Sequence, residues 1–253
     1  HGMFDFQDLA IGFAIIIIGW HIVTFTYFST QHRLYYIGTT DYQDKSRLMK
    51  ISGQTLSRHQ AALRRCHRCA DMHGPPVTGE PVVSSVLLIG QAPGNREIEV
   101  HRPFAWTAGK TLFGWFARIG LEEEEFRRKV YMAAVCRCFP GKNPRGGDRV
   151  PNRDEITHCS EWLAAEVQLL KPQLILPVGK LAIAQIMPVT KLDSIIGNSH
   201  RLSFHEHSAD IIPLPHPSGA STWHRTEPGK SLLNKSLRLI KKHPAWQVLL
   251  QTD

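Results

Sequence analysis

The feature of this sequence that most restricts its fold is a repeated alternation of short apolar runs with helical patterns. From about Ser57 onward, each run is followed by a loop and then by a helical segment. Strands that alternate with helices in this way form parallel sheets covered by helices on both faces. The sequence therefore predicts an α/β fold, a three-layer sandwich with a central, mainly parallel four-stranded sheet. Its predicted strands are Val82–Gly90, Val130–Val135, Leu174–Val178 and Ile211–Leu214.

Six helices are predicted around these strands. The longest begins at a polar cap, Asn152 or Asp154, and runs to about Leu170. The segment Glu122–Lys129 is acidic at its start and basic at its end, as the helix dipole favours. The other four predicted helices are Arg58–Arg65, Gly109–Ile119, Lys180–Ile186 and Lys230–Lys242.

The first fifty residues differ from the rest of the chain. Residues 9–28 form an apolar run in which only His21, Thr24 and Thr26 are clearly polar. The run is long and apolar enough for a membrane-spanning helix, and membrane association is expected only through it. It also fits a buried helix or strand pair, or a non-native or dispensable extension before Met49. We expect an N-terminal extension over residues 1–50, one domain over residues 51–253, and a cytoplasmic location.

The charge balance favours a polyanionic partner such as nucleic acid. The chain has 30 Lys and Arg against 22 Asp and Glu, which gives a net charge of +8. Most of its basic clusters are typical of solvated faces. The loop GKNPRGGDRVP after the second predicted strand is different because it lies at the edge of the sheet where ligands bind. Its Lys142 and Arg145 are therefore predicted phosphate contacts.

Two further loops are predicted at the carboxyl ends of strands. The sequence GQAPG at residues 90–94 makes a tight turn that exposes backbone N–H groups, and Phe104 follows as a candidate stacking ring. The sequence PHPSGAS at residues 215–221 fixes His216 between two prolines, where it can donate to charge on a leaving group. Ordinary turns and a core phenylalanine are the alternative interpretations.

The five cysteines do not form a disulfide framework in a chain of 253 residues. Cys66 and Cys69 have the spacing of a metal knuckle, and Cys138 and Cys159 can supply two more thiolates. Cys136 lies two residues from Cys138, so either is a possible ligand. Unrelated buried thiols are the alternative.

Together these motifs resemble the uracil-DNA glycosylase superfamily, most closely its iron–sulfur branch, called family four. That branch has GEAPG, a Glu, RPF and AG, and here GQAPG, Glu97, Arg102-Pro103-Phe104 and Ala108-Gly109 have the same spacing. Its VGxxA turn matches residues 178–182 and its histidine loop matches residues 216–218. Its four cluster cysteines match the four described above. The resemblance covers about Cys66 to the end of the chain.

Two positions depart from the family pattern. The acidic residue of GEAPG is Gln91 here, and the next position, an Asp in the classical branch, is Ala92. Many members have an Asn that reads uracil where this chain has Ala134. The departures concern the group that activates water and the group that selects the base.

The resemblance implies a DNA glycosylase that hydrolyses the N-glycosidic bond of uracil and leaves an abasic site. It implies that Gln91 and His216 are catalytic and that the chain is a monomer that binds DNA. The implied substrate-binding residues are Gly90, Ala92, Pro93, Gly94, Phe104 and Ala134. The implied DNA-binding residues are Lys142, Arg145, Ser218, Gly219, Ala220, Ser221, His224 and Arg225. The implied cofactor is a 4Fe-4S cluster, with zinc as the alternative, on Cys66, Cys69, Cys138 and Cys159.

Three other functions are compatible with the same residues. Ala134 is compatible with a glycosylase for another deaminated base, such as hypoxanthine or xanthine. The missing acidic residue is compatible with a non-catalytic nucleic-acid-binding member of the superfamily. A nucleophile such as His224 is compatible with covalent capture of the abasic sugar.

Overall fold

A computed structural model describes residues 11–18, 21–28, 53–144 and 146–251. The chain divides into two compact units, His1–Ser46 and Arg47–Asp253. In the first unit, β1 (Ile11–Ile18) and β2 (His21–Phe28) pair antiparallel, with Ile11 opposite Phe28. The described residues of the apolar run therefore form a pair of strands, which was one of the expected alternatives, and not a helix. Across the described ranges, no helix has the length and hydropathy needed to cross a membrane.

The second unit is built on one five-stranded sheet. Four of its strands are parallel neighbours in the order β4-β3-β5-β7, and β6 pairs antiparallel with β7 at one edge. The α/β fold class is confirmed, and the sheet has five strands rather than the four predicted. The strands are β3 (Val86–Gly90), β4 (Tyr131–Ala134), β5 (Leu174–Pro177), β6 (His200–Phe204) and β7 (His207–Ile211).

The edge hairpin explains the missed strand. β6 alternates exposed and partly buried residues, so it lacks the apolar run that marks the central strands. Its turn uses His205 and Glu206 in the left-handed region, with φ of 47° and 61°, rather than the usual Asn-Gly or Asp-Gly. The predicted fourth strand also begins too late: β7 ends at Ile211, and Leu214 forms only an isolated bridge with Val178.

Eight helices surround the sheet in the described part of the chain. Six correspond to predicted helices, and α2 and α8 are additional. Their bounds are α1 (residues 53–63), α2 (Asn95–Val100), α3 (Thr107–Ala117), α4 (Glu123–Lys129), α5 (Arg153–Leu170), α6 (Lys180–Ala184), α7 (Gly229–Lys242) and α8 (Pro244–Gln251).

The core has two halves, one on each face of the sheet. Alternate residues of β3 point to opposite faces, so Val86 and Leu88 pack in one half and Leu87 and Ile89 in the other. The first half contains side chains of α3, α4, α7 and α8, and the second contains side chains of α1 and α5. These layers give the predicted three-layer sandwich, with the carboxyl ends of the parallel strands open to loops.

A buried polar cluster ties α1 and α5 to the sheet. Glu166 of α5 is fully buried, pairs with Arg137 and accepts a hydrogen bond from the Tyr131 hydroxyl at 2.6 Å. The amide of Gln60 in α1 donates to the same hydroxyl at 3.2 Å. Burial opposes ionisation of Glu166, but the Arg137 charge together with the hydrogen bonds from His59 and Tyr131 outweighs burial and holds the pKa of that carboxyl below its usual range.

We expect Glu166→Gln to lower the free energy of unfolding by about 3–5 kcal/mol, because it leaves the Arg137 charge buried without a counter-ion. Urea denaturation measures the change. The matched control is Glu124→Gln, which breaks the exposed pair with Arg102 and should cost far less, because solvent screens that pair. Equal losses in the two variants would contradict the buried pair as a structural constraint.

Candidate active site

A cavity of about 640 Å³ lies at the carboxyl ends of the parallel strands. It is bounded by the loop that follows β3, the loop that follows β4 and the histidine loop that follows β7. Ligands of open α/β sheets bind at this edge. Nine of the predicted site residues line it together: Gln91, Ala92, Pro93, Gly94, Phe104, Lys142, His216, Ser218 and Ala220.

Two predicted substrate contacts lie just behind this cavity. Gly90 and Ala134 are the last residues of β3 and β4 and are paired in the sheet register. Both line a small adjoining cavity of about 30 Å³, which shares Phe104 and Ala92 with the main one. The strand ends therefore form the inner wall of the site.

Four predicted DNA contacts do not line the main cavity. Gly219 and Arg225 are exposed, and Ser221 is half-buried in the same loop. His224 is buried, with its ring centroid 5.2 Å from that of Trp115 in α3. Its imidazole thus packs against α3. Arg145 lies outside the described residues.

His216 is a neutral hydrogen-bond donor in this arrangement. Burial, with a smaller contribution from the charge of His224, lowers the pKa of His216 from its ordinary value. The backbone N–H of Ser218 donates to His216 Nδ1 at 3.2 Å. An Nδ1 atom that accepts a hydrogen bond carries no proton, so this contact assigns the proton of the neutral ring to Nε2. The ring can therefore donate to an oxygen in the cavity.

A glycine fixes the place of the His216 ring. Gly179, at the turn between β5 and α6, has φ of 86°, and its N–H donates to the carbonyl of Leu214. A Cβ at this position would lie 2.8 Å from His216 Cδ2. The VGxxA turn thus needs glycine both for its backbone conformation and for the close approach of the imidazole.

Two more glycines position Phe104. A Cβ at Gly90 would lie 2.9 Å from Phe104 Cζ, so the ring packs directly on the end of β3. A Cβ at Gly109 would lie 1.7 Å from the Phe104 carbonyl oxygen. Phe104 itself is in the left-handed region, with φ of 53°. Surrounding contacts must hold such a strained backbone in place.

One basic and one acidic side chain hold the backbone around Phe104. The basic one donates to carbonyl groups and the acidic one accepts from N–H groups. The Arg127 guanidinium donates to the carbonyls of Pro103 and Phe104 at 2.8 and 3.1 Å. The Glu97 carboxylate accepts hydrogen bonds from the backbone of Gly94, Phe104 and Ala105. Burial nevertheless raises the pKa of Glu97. The motif pointed to Glu97, whereas the helical charge pattern around Arg127 gave no sign of this role.

Asp148 is a cavity residue that the sequence analysis missed. Its carboxylate pairs with Lys142 Nζ at 2.6 Å, and a Cβ at Gly94 would lie 3.3 Å from its Oδ2 atom. The carboxylate therefore lies close to the GQAPG loop, across from its own glycine-rich loop. The sequence signal that could have identified Asp148 is an acidic residue between Gly147 and Arg149, in a loop that follows a strand.

The four predicted metal ligands line one separate cavity of about 270 Å³. Cys66 and Cys69 follow α1, Cys138 follows β4 and Cys159 belongs to α5. Cys136 does not line this cavity; it is buried and hydrogen-bonded to Cys159. Of the two candidate ligands Cys136 and Cys138, it is therefore Cys138 that lines the cavity with the other three cysteines. In the part of the chain that the structure describes, no three His, Cys, Asp or Glu side chains form a group close enough for a metal ion.

The chemistry of this cysteine cavity fits an anionic, sulfur-bound group. Arg137 also lines the cavity, and its buried Nη1 atom has no hydrogen-bond partner among the described residues. A buried donor requires an acceptor, and thiolate or sulfide sulfur can be one. Burial raises the pKa of Cys138 to about 12, so its thiol would lose a proton on binding such a group.

The parallel sheet, the glycine-supported loops and the histidine at the cavity define an α/β protein with a ligand site at the strand ends. The model of the uracil DNA glycosylase superfamily matches residues 76–240. The chain belongs to this superfamily, which confirms the resemblance drawn from the motifs.

Individual relatives of the chain are named type-4 and type-5 uracil-DNA glycosylases. The type-4 uracil-DNA glycosylase of Sulfurisphaera tokodaii is 29% identical over 143 residues, 54% of this chain and 61% of that protein. That of Saccharolobus solfataricus is 25% identical over 189 residues, 71% of this chain and 82% of the relative. The type-5 enzyme of Pyrobaculum aerophilum is 27% identical over 118 residues, 41% of this chain and 48% of the relative. The chain spans about three fifths of the length of the first relative.

We expect Gly179→Ala to lower the free energy of unfolding by about 1–3 kcal/mol, because a Cβ strains the backbone and displaces His216. Urea denaturation measures the loss, and an NMR pH titration reports the changed environment of the imidazole. Gly114→Ala in α3 is the matched control, since nothing lies within 4 Å of its added Cβ. That control should be stabilised by about 0.5–1 kcal/mol. A neutral Gly179→Ala variant would contradict the close contact.

Proposed function

We propose that the protein is a DNA glycosylase that hydrolyses the N-glycosidic bond of deoxyuridine in DNA and leaves an abasic site. The observation that carries the proposal is the single cavity shared by His216, Phe104 and the backbone of the GQAPG loop. These groups supply a donor to the leaving base, a stacking ring and a set of backbone N–H groups. The type-4 and type-5 names of the relatives support the same reaction.

Substrate binding begins with a base outside its stack. A cavity at the strand ends accepts a base only from a single strand or after the nucleotide has flipped out of the duplex. The Phe104 ring, held on Gly90, stacks on that base. The backbone N–H group of Ala92 and the side-chain amide of Gln91 orient its polar edge, while the Gly94 N–H is held by the Glu97 carboxylate.

His216 promotes departure of the base. As the bond between C1′ and N1 breaks, its electron pair moves into the uracil ring and the sugar takes on positive charge. The neutral imidazole donates Nε2–H to a carbonyl oxygen of the uracil anion. A prearranged donor of this kind contributes about 3 kcal/mol to the stability of the transition state.

Asp148 takes the part of the missing acid in the GQAPG loop. Gln91 and Ala92 cannot accept a proton, whereas the Asp148 carboxylate lines the same cavity from the neighbouring loop. It orients the water that adds to C1′ and accepts the proton that this water loses. Lys142 holds the carboxylate in place by their ion pair.

DNA contacts are proposed around the mouth of the cavity. Lys142 and Arg145 bind phosphate, and the small residues of the histidine loop approach the strand beside the flipped nucleotide. Arg225 is exposed at the end of that loop and can reach a phosphate. The catalytic domain is residues 51–253 and residues 1–50 are an extension. We propose a monomer that acts in the cytoplasm.

The four cysteines are proposed to hold a 4Fe-4S cluster, with zinc as the alternative. When bound, either group cross-links its thiolates by coordination bonds and adds stability to the fold. The cysteines belong to three separate segments, the loop after α1, the loop after β4 and α5. Holding these segments together fixes the base of the loop that contains Lys142 and Asp148.

A second candidate is a glycosylase for another deaminated base. Ala134 borders the small cavity of about 30 Å³ behind Phe104 and has no side-chain amide to read a uracil edge. The inner wall therefore selects less strictly by hydrogen bonding than an Asn would. Hypoxanthine and xanthine are the competing substrates.

We expect the purified protein to release uracil from single- and double-stranded oligonucleotides, and His216→Ala to reduce the rate constant at saturating substrate about 100-fold. Abasic sites measured by alkaline cleavage give the rate. The rate should fall as the pH drops through the pKa of His216, below about 6.5, since protonation of Nδ1 breaks the contact with the Ser218 N–H.

Controls separate the roles in this assay. Asp148→Asn should slow excision but keep the acid limb of the pH profile, because that limb belongs to His216. Hypoxanthine and xanthine oligonucleotides test the second candidate. Salt-sensitive DNA binding without release of any base would overturn the enzymatic proposal in favour of a binding protein.

For the cofactor, we expect anaerobically purified protein to contain iron and to absorb visible light, and Cys138→Ser to lose most of both. Elemental analysis and absorption spectra measure this directly. Cys136→Ser is the matched control and should keep its iron, because Cys136 lies outside the cysteine cavity. A colourless protein with one zinc per chain would exclude the cluster, and equal loss from both variants would contradict the ligand assignment.

A further inference from the structure

We propose that Trp106 stacks on the nucleobase next to the flipped nucleotide, so that the protein binds two adjacent bases of one strand. The inference rests on the proposed function, because it assumes that Phe104 receives the target base. It adds a second base-binding position at the rim of the same cavity. The partner is a nucleobase in a single-stranded or locally unpaired stretch of DNA.

The exposure of Trp106 is the first observation. Its side chain is 56% exposed, although tryptophan is buried to a large extent on average. The residue also lines the main cavity, together with Phe104 two positions earlier. A large exposed ring at the rim of a cavity has lost the burial that normally stabilises it, and a ligand that covers the ring restores this burial.

The backbone before Trp106 is held firmly, which is the second observation. Arg127 binds the carbonyls of Pro103 and Phe104, and the Glu97 carboxylate accepts hydrogen bonds from the backbone of Phe104 and Ala105. Trp106 is then the N-cap of α3, and its carbonyl accepts the N–H of Lys110 at 3.1 Å. Phe104 and Trp106 are therefore presented on one rigid segment, an inner ring and an outer ring, at little entropic cost.

The third observation is a cation beside the outer ring. The Arg96 guanidinium lies over one face of the Trp106 ring, 5.5 Å from its centroid, and also pairs with Glu99 at 2.9 Å, so a base stacks on the other face. An arginine next to an exposed aromatic ring is the combination that single-stranded DNA sites use, where the ring stacks on a base and the cation faces the backbone.

The test is a binding cycle on single-stranded oligonucleotides that carry 2′-fluoro-2′-deoxyuridine, which resists hydrolysis. The neighbouring base is replaced by a tetrahydrofuran spacer on either the 5′ or the 3′ side. We expect Trp106→Ala to weaken binding about tenfold. A spacer on one side should weaken wild-type binding by a similar factor but leave the variant unchanged. Trp106→Phe should keep most of the affinity and of the spacer effect.

Controls keep the outcome decisive. Val100→Ala removes an equally exposed apolar side chain, 57% exposed, that lines a different groove, and it should not change affinity. Since the Trp106 side chain makes no cap hydrogen bond, its truncation leaves the start of α3 intact. Trp106→Gln provides a second truncation. Spacer effects that persist undiminished on both sides in Trp106→Ala and Trp106→Gln would overturn the inference.

The two proposals fail in different ways. Wild-type protein that releases no base but shows coupling between Trp106 and one spacer would refute the reaction and retain the stacking position. Wild-type protein that releases uracil but shows no coupling would refute the stacking position alone. Absence of oligonucleotide binding would refute both.

Discussion

The contact between Phe104 and Gly90 is the constraint on which the geometry of the pocket depends. A Cβ at residue 90 would lie 2.9 Å from the ring, so Phe104 packs directly on the end of β3 and separates the main cavity from the small one behind it. This contact requires a left-handed Phe104, which in turn requires Gly109 without a side chain, hydrogen bonds donated by Arg127 and hydrogen bonds accepted by Glu97. A strained residue is thus held by groups from α2, α3 and α4, and the pocket is formed before any ligand arrives.

The parts of the fold that were predictable from sequence are those that bury apolar surface on both sides. The central strands β3, β4 and β5 are continuous apolar runs, and each is present close to its predicted position. β6 is an edge strand whose residues alternate in exposure, and its turn residues His205 and Glu206 are not typical of hairpins. Edge strands and short helices such as α2 depend on tertiary contacts that local pattern does not record.

The candidate site was predictable where function needs an unusual residue combination, as at Gly179 and His216. It was not predictable where an ordinary residue becomes special only through its neighbours. In the sequence, Asp148 is one acidic residue in a basic loop. The structure shows that its carboxylate lies beside Lys142 and Gly94. The sequence alone does not distinguish Trp106 from a core residue, and only its exposure in the structure does so. The sequence context of His224 predicts a DNA contact, and the structure shows its ring packed on Trp115, a contact that local sequence does not record.

The pairing of Arg137 with Glu166 has a consequence for the lifetime of the protein. The Nη2 atom of this guanidinium pairs with the carboxylate. Its Nη1 atom has no hydrogen-bond partner among the described residues, and Arg137 lines the cysteine cavity. A copy that lacks the proposed sulfur-bound group therefore keeps an unsatisfied donor in its interior, which costs stability. Such a copy opens more often and is a better substrate for proteases than a loaded one. Cellular turnover would then remove incomplete molecules preferentially, so that the remaining population is enriched in molecules that hold the group.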